Sequence, residues 1–271
     1  GISMTIASEI TRIKTNIDNA YTALEAKGAT IPEAKNSANL ADTINTVTGG
    51  SGETNYLGRI VTEDGVLQFP TESFSFSLPS NITSIGRYGL QYAFNGCTSL
   101  TSTGLNNITS IGIYGLQYAF NGCTNLTSTG LNNVTSIGDS GLNYAFRNCT
   151  SLTSTGLNNV TSISDNGLNS AFQNCTSLTS TVLDNVTSIG SYGLRYAFQD
   201  CTSLTSLSFP ALNSNSFGGY TNQFNSMLRG LTGCTVHFPS NLESVIGSWS
   251  DVTRGFGGTN TTILFDLPAT T

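Results

Sequence analysis

The chain has 271 residues, a net charge of −6 and only 10% charged residues, against about a quarter in an ordinary globular protein. That balance argues against a nucleic-acid partner, which needs clustered Lys and Arg; the three lysines (Lys14, Lys27 and Lys35) all lie near the start. No stretch approaches the roughly 18 apolar residues of a membrane-spanning helix, so no membrane insertion is expected.

Gly1-Ile2-Ser3 (residues 1–3) reads as a cloning scar ahead of Met4, and no basic or apolar leader comes after it. Residues 4–48 read as helical. Thr5 suits an N-cap, and Gly28 suits the position just past the helix end. Ile6, Ile10, Ile13, Ile17, Ala20 and Leu24 alternate spacings of four and three. That is a coiled-coil seam, and Ile at both seam positions favours three strands, hence a possible homotrimer. The alternative is an amphipathic helix packing within its own chain. Ile31-Pro32 ends it, and a shorter helix is expected from about Ser37 to Val47. Residues 49–55 are a Gly-rich linker. Residues 56–80 alternate as short strands and are expected to cover the first turn of a repeat region that begins at residue 81.

Residues 81–209 repeat one 26-residue unit about five times. Cys97, Cys123, Cys149, Cys175 and Cys201 mark the period. A fixed period of that length predicts a solenoid. Within a unit, Ser99 to Leu105 is expected as a strand, Asn106-Asn107 as a turn, and Ile108 to Ile111 as a second extended piece. Gly115 is expected to open a short helix, because Leu116, Ala119, Phe120 and Cys123 fall at i, i+3, i+4 and i+7. Stacked units then superpose identical apolar residues into inward ladders. Residues 210–271 read as a degenerate sixth turn ending at Cys234 to Val236, then a β-rich cap.

The unit Ala-Phe-x-x-Cys-Thr-Ser-Leu-Thr-Ser, continued by Asn-Val-Thr-Ser-Ile-Gly, resembles the BspA-like leucine-rich repeats of bacterial surface proteins over roughly residues 81–236. The resemblance implies an α/β leucine-rich-repeat solenoid of about five to six turns, used for binding and without shared catalytic residues. Thr103, Thr129, Thr155 and Thr181 stand where that family usually has Ile or Leu. The segments Ile6 to Ile13, Glu25 to Pro32 and Leu40 to Ile44, with the end from Cys234 to Leu242 and Gly257 to Thr262, resemble prophage tail and virion proteins of Gram-positive gut bacteria.

The cysteines are expected as a buried, free thiol ladder, since metal ligands come in pairs a few residues apart. No cofactor or metal is indicated. His237 is the single histidine, and Asp139, Asp165, Asp184 and Asp200 form no repeated carboxylate pair, so no enzyme activity is expected. Asn-x-Thr triplets such as Asn107-Ile108-Thr109 read as turns copied with the repeat.

Tyrosines are the binding candidates. Tyr92, Tyr118, Tyr144 and Tyr196 share one column, broken by Ser170, and Tyr88, Tyr114 and Tyr192 form a second. On the expected helix the first column lies opposite the buried face, and the second precedes it. Exposed aromatic columns suit stacking on sugar rings or contact with a partner protein; the alternative is that they pack on neighbouring turns and cover backbone. Variable columns beside them (Arg87, Ile113, Asp139, Asp165, Ser191, and Asn95, Asn121, Arg147, Gln173, Gln199) are where specificity would be tuned. The reading is a non-catalytic, prophage tail-associated or receptor-binding protein directed at a bacterial surface glycan or protein. The N-terminal helices (Ile6, Ile10, Ile13, Ile17, Leu24) would trimerise or join other virion proteins, and the protein would sit in the virion. The alternative is a cell-surface, extracellular BspA-like adhesin or interaction module.

Overall fold

The structure is a computed structural model and describes residues 15, 17–22, 25, 60–61, 67–247 and 255–271. The chain divides into two compact units, residues 1–70 and 71–271. In the first, the described positions between 15 and 25 are helical, with Tyr21 buried and Ile17 half-exposed. There β1 (Ile60–Val61) pairs antiparallel with β2 (Leu67–Gln68). Ile6, Ile10, Ile13, Leu24, the second expected helix and the 49–55 linker lie outside the described residues.

The second unit is a β-solenoid of about seven turns with few helices. In chain order its strands are β3 (Phe74–Ser75), β4 (Ser84–Ile85), β5 (Leu100–Ser102), β6 (Ser110–Ile111), β7 (Ser136–Ile137), β8 (Ser162–Ile163), β9 (Ser188–Ile189), β10 (Ser206–Ser208), β11 (Thr235–Pro239) and β12 (Thr262–Leu267). One side is the parallel sheet β4-β6-β7-β8-β9, in which Ser pairs with Ser and Ile with Ile one repeat on. The two-residue period turns each Ile into the core and each Ser outward. β-branched Ile suits this pleated surface.

The side expected to be the main strand is less regular. Parallel pairing occurs at its ends, β3-β5 and β10-β11-β12, with an isolated Ser154–Ser180 bridge between them. The Thr103 column explains the gap. Thr103 Oγ1 donates to the Thr129 carbonyl at 2.8 Å, and Thr129 repeats this to Thr155 at 2.8 Å. The Leu105 and Leu131 amides donate back to the hydroxyls of Thr103 and Thr129. Side-chain bonds of this kind compete with a regular ladder. They also satisfy hydroxyls that are buried in the core.

The third side corrects the expected short helix. In the second repeat, Gly115, Gln117, Ala119, Asn121 and Cys123 donate their amides three residues back. Tyr114, Leu116, Tyr118, Phe120 and Gly122 donate theirs to the next coil. Tyr114, Tyr118 and Gly122 have φ of 54°, 54° and 76°. A left-handed residue at every fourth position excludes an α-helix. The segment is a run of four-residue turns. Leu116, Ala119, Phe120 and Cys123 still all point inward. A period of four and a period of 3.6 select the same four residues over so short a span. The helix spacing is right as a burial pattern and wrong as a backbone conformation, because stacked coils accept amides that a lone helix must satisfy within itself.

The core is the set of superposed columns. Phe94, Phe120, Phe146, Phe172 and Phe198 are fully buried, and their successive rings stack 5.2–5.9 Å apart within 14° of parallel. All six cysteines are free and buried. Each thiol from Cys123 to Cys201 donates to a phenylalanine carbonyl of the previous coil, at 3.0–3.2 Å. Cys234 is not a sixth rung of that column. The Asp200 amide bonds Arg229, so Leu231 takes the place after Cys201, and Cys234 directly precedes β11.

Candidate functional site

The turn side carries both tyrosine columns. Three columns per coil take positive φ: 88/114/140/166/192, 92/118/144/170/196 and 96/122/148/174/200. The third holds Gly96, Gly122, Asn148, Asn174 and Asp200, the residue types that tolerate this backbone. The first two hold Tyr88, Tyr114 and Tyr192, and Tyr92, Tyr118, Tyr144 and Tyr196, interspersed with Ser140, Asn166 and Ser170. A left-handed L-residue costs roughly 1–2 kcal/mol. Tyrosine therefore stands where the fold has cheaper choices, and takes them in some coils.

Part of that cost is offset by stacking. Tyr88 lies on Tyr114 at 5.2 Å, Tyr92 on Tyr118 at 4.9 Å, and Tyr118 on Tyr144 at 4.6 Å, all within 9° of parallel. Such pairs contribute about 0.5–1.5 kcal/mol beyond area burial. The rings thus pack on neighbouring turns while keeping an outer edge in solvent. Tyr88 and Tyr92 are nearly half-exposed, at 46% and 48%. The other five are half-buried. Burial, with its Tyr144 and Tyr92 neighbours, raises the Tyr118 pKa; the hydrogen bond from Arg195 lowers that of Tyr196.

Arginines complete the face. Arg87 sits over Tyr88 at 5.1 Å, and Arg147 over Tyr144 at 5.7 Å. Arg195 lies 5.1 Å from the Tyr192 centroid and 4.9 Å from that of Tyr196, bridging the two columns of one coil. Sequence reasoning places Arg87 and Arg147 among the variable positions and misses Arg195. The adjacent Arg195-Tyr196 pair is its available signal. A polar ladder runs between the tyrosine columns: Gln117 Nε2 donates to Asn143 Oδ1 at 3.3 Å, and Gln91 pairs with Gln117.

The strand side offers less. The exposed hydroxyls of Thr109, Thr135, Thr161 and Thr187 already donate to threonine carbonyls of the previous coil at 3.1–3.2 Å. His237 pairs through Nδ1 with Asp266 Oδ1 at 2.9 Å, between β11 and β12. Asn133 Nδ2, in one of the Asn-x-Thr triplets, donates to the Asn106 carbonyl at 2.6 Å. Among the described residues, no group of three His, Cys, Asp or Glu side chains is placed to hold a metal ion. No helix among them is long and apolar enough to cross a membrane.

Residues 68–192 and 116–248 match, in six copies, the model of the family described as BspA type leucine-rich repeat region; together they span 68–248 of the 271 residues. No curated protein matches the chain.

Proposed function

The chain belongs to the BspA-type leucine-rich-repeat family, and from that premise we propose that it is a non-catalytic binding protein whose tyrosine face recognises a glycan or protein of a bacterial surface. The family points to a surface or protein-interaction module. The observation that carries the reading is the occupancy of the left-handed columns. Ser140, Asn166 and Ser170 hold the same backbone without an aromatic ring. Folding alone therefore does not require Tyr92, Tyr118 or Tyr144, and residues held in sparsely populated backbone regions cluster at functional sites. Their outer side offers ring edges, phenol hydroxyls and adjacent amides, which is the chemistry of sugar or peptide recognition.

The finer reading is a prophage tail-associated receptor-binding protein; its ground is the sequence resemblance read at the two ends of the chain, outside most of the family match. There the solenoid binds the host surface and the N-terminal segment joins the particle, as a trimer through Ile6, Ile10, Ile13, Ile17 and Leu24. A cell-surface adhesin is the alternative that the repeats favour when taken by themselves.

Replacing Tyr92, Tyr118, Tyr144 and Tyr196 by Ser is expected to keep the fold, because Ser170 already occupies that column at φ 54°. Binding to host cells or purified cell wall should weaken at least tenfold, read as a dissociation constant beside a circular-dichroism check. Undiminished binding by a folded variant would remove the tyrosine columns from the site.

A further inference from the structure

Among the described residues of 71–271, the arginines stand on one face. The described arginines of residues 71–271 are Arg87, Arg147, Arg195 and Arg229, and all four stand in turn segments among the tyrosine columns. The described acids elsewhere on the unit are Glu72, Asp184, Glu243 and Asp266, while Asp139, Asp165 and Asp200 share the turn face. The four described arginines of this unit thus lie where its aromatic rings are. None of the four arginines forms an ion pair with a described residue; the pair of His237 with Asp266 lies on the sheet of β11 and β12. Nε of Arg147 and Nε of Arg195 are buried without a hydrogen-bond partner among the described residues. Arg195 is held against two rings, those of Tyr192 and Tyr196.

Beyond the bond that Arg195 gives Tyr196, a guanidinium lying on aromatic rings has further terminal N–H groups to offer a carboxylate or phosphate oxygen. Along 88/114 and 92/118/144, rings repeated one coil apart and edged by hydroxyls and amides present one motif at a constant step. A polymer of repeated sugar rings can use that step rung by rung, whereas a peptide with unlike side chains gains nothing from the repetition. Resting on the tyrosine-face reading above, we propose that the ligand is a negatively charged glycan. Its sugar rings would lie against the tyrosine columns, and its carboxylate or phosphate groups would be taken by Arg147, Arg195 and Arg229.

The test uses the full chain against four immobilised probes: polygalacturonate, poly(glycerol phosphate), neutral dextran and polyglutamate. Expected is binding to polygalacturonate or poly(glycerol phosphate) at least tenfold tighter than to dextran or polyglutamate, weakening as salt rises from about 50 to 200 mM. Preference between the two anionic probes identifies carboxylate or phosphate as the group bound. Arg195→Gln should lose about tenfold, and Arg195→Lys should recover part of it by restoring the charge. Protection of the buried thiols from a thiol reagent confirms that each variant is folded. Equal affinity for dextran with no arginine effect would overturn the anionic ligand and leave the tyrosine face standing. Polyglutamate bound as tightly as the polysaccharides would overturn the glycan. Absence of binding to all four, with cell-wall binding still lost on the tyrosine-to-serine change, would overturn this inference alone. If cell-wall binding also survives that change, both readings fall.

Discussion

Above about pH 9 the solenoid is expected to lose stability steeply. Burial pushes the Cys149 and Cys201 thiols up to about 12 and Cys234 up to about 11, from an ordinary 9. Burial is also the first cause of the upward shifts of Cys123 and Cys175. An unfolded chain releases these protons from about pH 9, while the folded chain holds them. Below that value both states are protonated and the thiols add no pH dependence. Between 9 and roughly 12 the unfolded state binds fewer protons, so stability falls as pH rises. One such thiol changes it by about 1.4 kcal/mol per pH unit. Several acting together would remove the typical 5–15 kcal/mol of a domain within a few units. Chemical denaturation at pH 8, 9 and 10 measures the slope. Cys149→Ala deletes one thiol and should make the slope shallower by about 1.4 kcal/mol per unit. It also removes a donor to the Phe120 carbonyl, which lowers stability at every pH without tilting the line. Equal slopes in the two proteins would mean that the thiols ionise in place.

Phe146→Ala is expected to destabilise the solenoid by about 3–5 kcal/mol. Phe146 is fully buried between Phe120 at 5.2 Å and Phe172 at 5.6 Å, both near parallel. Truncation forfeits the transfer energy of the ring, both stacking contacts and the close packing of two coil interfaces. In a solenoid each turn contacts only its neighbours, so damage to an inner turn weakens the coupling of the flanking blocks. Thermal unfolding should drop by roughly 6–20 °C. Tyr144→Ser, two residues away on the same coil, is the control. It loses a half-buried stack but keeps the left-handed backbone that Ser170 shows to be acceptable, and its cost should be far smaller. Comparable losses from the two substitutions would contradict the assignment of Phe to the core and Tyr to the surface.

Much of the solenoid is legible in the sequence because repetition carries its own register. Five cysteines at one spacing fix which residues superpose, and superposition makes Phe, Leu and Cys a common core. The backbone path is less legible. Leu116, Ala119, Phe120 and Cys123 satisfy a helix face as well as they satisfy a chain of four-residue turns. The deciding fact is that half of the amides bond the next coil, which no single repeat can display. The Asn and Gly at 148, 174, 96 and 122 are the available signal for left-handed turns, masked by tyrosines in the two neighbouring columns. The Thr103 column stands out in the sequence as a departure from the family, but its consequence, an interrupted ladder on the expected main strand, needs the carbonyl of the adjacent coil. At the candidate site, the tyrosine columns emerge from the period alone. The stacking of Arg195 on two rings depends on side-chain direction, which no spacing reveals.

Hydroxyl-radical footprinting of the full chain, free and bound to purified host cell wall, tests the assignment of the binding face most directly. Tyr92, Tyr118, Tyr144 and Tyr196 should become protected on binding, while reactive positions near the Ser-Ile sheet and its exposed threonines stay unchanged. Protection on that sheet side, with the tyrosines as reactive as in the free protein, would place the ligand on the sheet and contradict a tyrosine-lined site.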